Sequence, residues 1–154
     1  MSSSGEKTVA KNRKAGRDYF LDDRYEAGLV LRGTEIKSVR ASQVSLTEAY
    51  VKIENGEAWL VNAYIAPYDP ASQFNHDPRR NRKLLLHRRE IDRLEVKVHQ
   101  RGFTLIPTRM YLKHHRAKLE FALAKGKLKY DKRQALARKD AQREMDRSLS
   151  RRGR

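Results

Sequence analysis

Five histidines offer the first chance of chemistry: His76, His87, His99, His114 and His115. Imidazole titrates near neutrality and ligates metals, so His76 beside Asp77 suggests general acid–base work and the adjacent pair His114-His115 suggests a metal. Neither suggestion has the spacing it needs. No histidine pairs at i, i+4 with a carboxylate motif, and neighbours in an extended loop rarely form a catalytic dyad. A structured turn is the simpler reading of His76-Asp77. The glycines, among them Gly28, Gly33, Gly102 and Gly126, are scattered and form neither a Walker pattern nor Gly-x-Gly-x-x-Gly. With no cysteine there is no disulfide, thiolate nucleophile or zinc knuckle. We therefore expect no catalytic residue, no metal, no cofactor and no enzymatic activity.

The residues that do suggest a ligand are basic. From Arg79 to Arg89 the chain carries Arg79, Arg80, Arg82, Lys83, Arg88 and Arg89 with no acid, beside the expected start of a helix whose N–H groups also favour phosphate. Asn75, His76 and Asn81 are interleaved and add groups able to bond bases or 2′-hydroxyls. This is the pattern of RNA contact. Glu26 is harder to place, since a carboxylate repels phosphate. It serves either as a salt-bridge partner, the commoner use, or as an acceptor for a base amino group.

The whole chain has the same bias. Its 154 residues hold 35 Lys and Arg against 19 Asp and Glu, a formal net charge of +16, and the pI is about 10.4. Such an excess favours a polyanion through phosphate neutralisation and counterion release. No apolar run approaches the length of a spanning helix, and no basic amphipathic helix carries aromatic anchors, so a membrane partner is not expected. The polar start, Met1 to Lys7, has no secretory apolar stretch, and a cytoplasmic location is expected.

These residues must be held by one modest core. Residues 1–16 show no apolar periodicity and read as a mobile basic arm. From Tyr25, Ala27, Leu29 and Leu31 alternate with Glu26, Gly28 and Val30, the period of a half-buried strand. Thr34 caps a short helix to Arg40, which docks through Ile36 and Val39. Two alternating runs joined by Asn55-Gly56 predict a hairpin that returns through Trp59. Three of the four prolines lie between Pro67 and Pro78 and mark a loop. A helix follows, with Leu84, Ile91, Leu94 and Val98 on one face. A second hairpin pairs residues 103–112 with Ala117, Leu119, Phe121 and Leu123, leaving Lys118 and Glu120 on the opposite face.

Short strands in hairpins with accessory helices predict a mainly β domain over residues 17–126, a small oligonucleotide-binding (OB)-fold-like barrel. Residues 127–154 are too poor in apolar groups to fold alone and read as a basic C-terminal tail, disordered when free. Their alanines among Arg, Lys and Glu favour a helix on a partner, about 36 Å long from Asp131 onward at about 1.5 Å per residue.

Several blocks, taken in order, resemble the SsrA-binding protein (small protein B) family. They are Asn12-Arg13-Lys14-Ala15, Tyr25-Glu26-Ala27-Gly28, Gly33-Thr34-Glu35-Ile36-Lys37-Ser38, Asp77-Pro78, Arg82-Lys83-Leu84-Leu85-Leu86-His87, Ala124-Lys125-Gly126-Lys127 and Asp131-Lys132-Arg133. The resemblance implies an OB-fold barrel that binds the tRNA-like domain of transfer-messenger RNA and delivers it to stalled bacterial ribosomes for trans-translation. It implies an RNA-facing surface that includes Glu26, Leu85, His87 and Lys118. It also implies a tail that enters the decoding centre and messenger channel of the small subunit, with Asp131, Lys132 and Arg133 matching the motif at the tail base. A monomer is expected. Arg17 stands where many members have a histidine, so a decoding-centre contact there would be made by guanidinium stacking. The competing reading from another class is a structural protein bound permanently to ribosomal RNA; sedimentation with subunits through high salt would distinguish it.

Overall fold

The computed structural model describes residues 5–68, 75–100 and 102–127. Its frame is set by two hairpins. In the first, β4 (Tyr50–Glu54) pairs with β5 (Glu57–Val61). Asn55 and Gly56 take φ of 52° and 73°, the left-handed pair that a two-residue turn between twisted strands requires. In the second, β8 (Phe103–Lys113) pairs with β9 (Arg116–Gly126) across His114 and His115, whose φ values are 50° and 66°. The adjacent histidines are therefore turn residues. Their backbone conformation, uncommon for a non-glycine side chain, is set by the strands on either side.

Two further strands complete a ring. β2 (Tyr19–Leu29) pairs with β9 along most of its length, and β7 (Arg82–Leu85) bridges β2 to β5. Val51 on β4 faces Leu105 on β8, so six strands close in the order β8-β4-β5-β7-β2-β9 and back to β8. Closure removes the free sheet edges that invite aggregation. Inward-facing Leu60, Leu84, Leu105, Met110, Leu119 and Phe121 fill the ring and are fully buried, with Tyr25 stacked on Phe121 at 5.6 Å between centroids. Each such side chain contributes about 1.5–3 kcal/mol by leaving water. A two-stranded ribbon of β3 (Val44–Ser45) and β6 (Tyr64–Ile65), with α2 (Gly33–Arg40), lies beside the ring, and α3 (Arg88–His99) packs Ile91 and Leu94 as buried residues.

Four expectations change. The arm expected to be mobile over residues 1–16 is structured where it is described: β1 (Glu6–Lys11) adds to the outer half of β8, and α1 (Arg13–Asp18) packs Ala15 against Ile106 and Ala124. Of β1 Val9 alone is buried in the core, with Ala10 partly buried against it, so the strand is held mainly by backbone pairing, which apolar periodicity does not report. β2 begins at Tyr19, six residues before the regular alternation, because its register shifts between Leu21 and Arg24. Leu84 lies in β7, not in a helix; α3 starts at Arg88 behind His87, and the match of Leu84 to its apolar face was a coincidence of spacing. Arg32, not Thr34, is the N-cap of α2, with its N–H donating to Glu35 Oε1 at 2.8 Å. The expected tail, beyond residue 127, lies outside the described residues.

Candidate nucleic-acid interface

The loop that delivers the basic cluster is locked by a buried charge. Glu35 on α2 is fully enclosed and accepts from Arg82 Nε at 2.6 Å and from Arg80 Nη2 at 2.5 Å. Arg82, also fully enclosed, spends its remaining donors on the carbonyls of Ala63 at 2.6 Å, Pro78 at 3.1 Å and Asp77 at 3.4 Å. Burial works to raise the Glu35 pKa. The hydrogen bonds from Arg80, the Arg32 N–H and Arg82 outweigh it and hold the carboxyl below the usual range. For Arg82, burial is the larger influence and lowers the pKa from its ordinary value against the pull of Glu35.

His76 makes the second fastening. Its Nδ1 lies 2.9 Å from Thr34 Oγ1 and its Nε2 lies 2.9 Å from the Ile65 carbonyl oxygen, and the ring is buried. With both nitrogens occupied, His76 ties the loop to α2 and β6. This agrees with a structured turn, and Thr34 has its use here.

Strand β7 then divides the cluster by its period of two. Arg82 and Leu84 point inward, while Lys83 and Leu85 point outward. Arg82, expected to contact RNA, is therefore corrected to a structural residue: it has no exposed surface and its donors are committed within the protein. Arg80 is drawn partly into the same knot, its side chain 25% exposed. Arg79 stays on the surface, over the Tyr64 ring at 5.6 Å and hydrogen-bonded to Asn62. Lys83 pairs loosely with Glu57 at 3.4 Å, a contact of little strength in water.

Leu85 carries 56% of its possible exposure, unusual for a large apolar side chain. It faces Gly28 on β2, and Gly28 faces Lys118 on β9. A Cβ on Gly28 would lie 3.5 Å from the Leu85 side chain and 3.8 Å from Lys118 Nζ, so the three positions meet. Glu26 sits two residues earlier on the same outward phase of β2, exposed, and accepts from the Tyr111 hydroxyl. Its partner is thus a phenol and not the cation expected of a salt bridge. His87, two residues beyond Leu85 in the chain, is exposed as the N-cap of α3, with its backbone N–H donating to Glu90 Oε1 at 3.4 Å. The outer wall of the ring accordingly gathers an acceptor (Glu26), an apolar contact (Leu85) and a cation (Lys118), and the chain leaves it through an exposed imidazole (His87). That mixture suits an unpaired base next to a phosphate better than a bare phosphate backbone.

Asp131, Lys132 and Arg133 lie outside the described residues. Among the described residues no group of three His, Cys, Asp or Glu is placed to hold a metal ion, and no helix is long and apolar enough to cross a membrane. Sequence reasoning missed Glu35 and Tyr111. Tyr111 could have been found, because the register of the second hairpin puts it opposite Lys118. Glu35 gave no signal, since its partners lie 45 and 47 residues away.

Comparison with known proteins gives a consistent picture. Residues 9–151 match the family model described as SmpB protein. The SsrA-binding protein of Roseiflexus castenholzii is 56% identical over 97% of this chain and 95% of its own length. That of Sulfurihydrogenibium sp. is 54% identical, covering 94% of this chain and 95% of its own. The Halothermothrix orenii SsrA-binding protein is 51% identical over 100% and 99% respectively. Among solved structures, a chain of "tmRNA-SmpB: a journey to the center of the bacterial ribosome" superposes with a TM-score of 0.65 at 49% identity, covering 76% of this chain and 82% of that one.

Proposed function

This chain belongs to the SmpB family, and on that premise we propose that it binds the tRNA-like domain of transfer-messenger RNA through the Glu26, Leu85, His87 and Lys118 face of its barrel. It delivers that RNA to stalled ribosomes in trans-translation, as an adaptor that performs no chemistry itself and works in the cytoplasm, where ribosomes are. The observation that carries this reading is the meeting of Leu85, Gly28 and Lys118 on the outer wall beside Glu26. Glycine at the centre leaves room for RNA to approach the strand, and the exposed leucine gives a base something to lie against.

Lys118 neutralises a phosphate. Arg79 and Lys83 extend the positive surface, while Arg80 has less to give because Glu35 already holds it. Arg82 acts from beneath, keeping β7 and its loop in the shape that presents Lys83 and Leu85. Asp131, Lys132 and Arg133 begin a basic tail that enters the decoding centre and the empty messenger channel, so that vacancy itself is recognised.

The test is a competitive titration at physiological salt. The tRNA-like domain of transfer-messenger RNA is compared with ordinary tRNA and a random RNA of equal length, for the wild type and Glu26→Ala. A preference for the tRNA-like domain that the variant loses is expected. Equal binding to all three RNAs would reduce the surface to a nonspecific basic patch.

A further inference from the structure

Tyr111 occupies an anomalous position. Its strand neighbours Met110 and Leu112 belong to the core, and Tyr111 itself points the other way, opposite Lys118 on β9 and Thr8 on β1. An aromatic on the outer wall of a small barrel is ordinarily half-exposed, yet Tyr111 keeps only 2% of its surface. The cover is built from charge. The Arg109 guanidinium lies 4.1 Å from the centre of the Tyr111 ring. Arg109 is held in turn by Glu6 on β1 at 2.7 Å and Glu120 on β9 at 3.4 Å, and Glu120 also accepts from the Thr108 hydroxyl at 2.6 Å. The ring is thus clamped, and its hydroxyl has one direction to point, toward Glu26 Oε2.

We propose that Tyr111 is the positioning residue for Glu26: its hydroxyl, donated to Oε2, orients the carboxylate so that Oε1 stands outward as an acceptor for an N–H donor on an unpaired RNA base. This rests on the reading that Glu26 faces the RNA. A free glutamate on a strand samples several rotamers, and ordering it on binding costs free energy. Tyr111 meets that cost beforehand. The phenol stays a donor because burial, and next the hydrogen bond to Glu26, push its pKa well above the ordinary phenol value. A carboxylate has no hydrogen to give a phosphate oxygen, so its RNA partner must bring a donor, and a base edge with an amino or imino hydrogen, as on guanine, supplies one. Through Arg109 and Glu6 the same clamp makes β1 a support of the interface, although β1 lies outside the ring.

The experiment is a double-mutant cycle of Tyr111→Phe and Glu26→Ala in the full chain. Affinity for the tRNA-like domain is titrated over a series of salt concentrations, at a temperature where every variant is fully folded. Tyr111→Phe keeps the ring and its stacking on Arg109 and removes only the hydroxyl. The expected result is about a 10-fold weaker affinity with an unchanged dependence of log K on log salt, because no phosphate contact is touched. In the Glu26→Ala background the same change should add nothing. Wild-type affinity for Tyr111→Phe, or an equal loss in both backgrounds, would overturn the positioning role. If Glu26→Ala itself binds like the wild type, the reading of the RNA face fails first and the inference goes with it.

Discussion

Replacing Arg82 with alanine should unfold the protein more readily and leave the salt dependence of RNA binding unchanged in the molecules that remain folded. Arg82 and Glu35 are both fully enclosed, 2.6 Å apart, and the arginine also satisfies three carbonyl oxygens. Removing it leaves a buried carboxylate with Arg80 as its remaining side-chain cation, and strands those carbonyls. Breaking a buried pair from one side costs about 3–5 kcal/mol. For a folded unit of this size that corresponds to a fall in melting temperature of roughly 10–20 °C. Thermal and urea unfolding followed by circular dichroism would measure it, and titration of the tRNA-like domain well below the transition would measure binding. Lys118→Ala is the opposite control, with little change in stability and a binding salt slope shallower by about 0.9, the share of one phosphate contact. An Arg82→Ala protein that unfolds like the wild type yet loses affinity with a shallower salt slope would refute the assignment of Arg82 to the interior and return it to the interface.

Two further outcomes follow from the same geometry. Because the folded-state pKa of Glu35 lies below its ordinary value, the stability it contributes is fully present above the ordinary carboxylate range and is lost as pH falls through the folded value. Urea midpoints recorded from pH 7 downward should fall in acid, and less steeply for Glu35→Gln, which starts from a lower stability at neutral pH. Gly56→Ala should cost about 1–2 kcal/mol in urea unfolding, since φ is +73° and the new Cβ would lie 3.2 Å from Arg88 Nη1; RNA affinity should be unchanged.

The barrel was largely legible because its signals are local. Asn55-Gly56 between alternating runs specifies a hairpin, and the alternation of Ala117, Leu119, Phe121 and Leu123 gives β9 its inner face in advance. What escaped notice depends on partners distant in the chain. β1 has a weak pattern of its own and is a strand because β8 offers it a ladder about a hundred residues on, as in the pairing of Glu6 with Lys113. β7 is short, and its sequence Arg-Lys-Leu-Leu shows no polar–apolar alternation, so a helix period ran through it unopposed.

The same four residues explain why the basic cluster could be located but not resolved. A run of cations reads as one surface, but a strand sends neighbours to opposite sides, so Arg82 and Lys83 cannot serve the same purpose. Which of them turns inward is decided by Glu35, the acid buried 47 residues earlier. Unpaired, an arginine would not enter a dry interior; paired, it becomes the post on which the outward lysine and leucine stand. Glu26 follows the same logic on the opposite side of the wall, where a phenol buried under a clamped guanidinium sets the direction of an exposed carboxylate. In both places the group proposed to meet RNA is exposed, and its orientation is carried by a buried residue that the RNA need never touch.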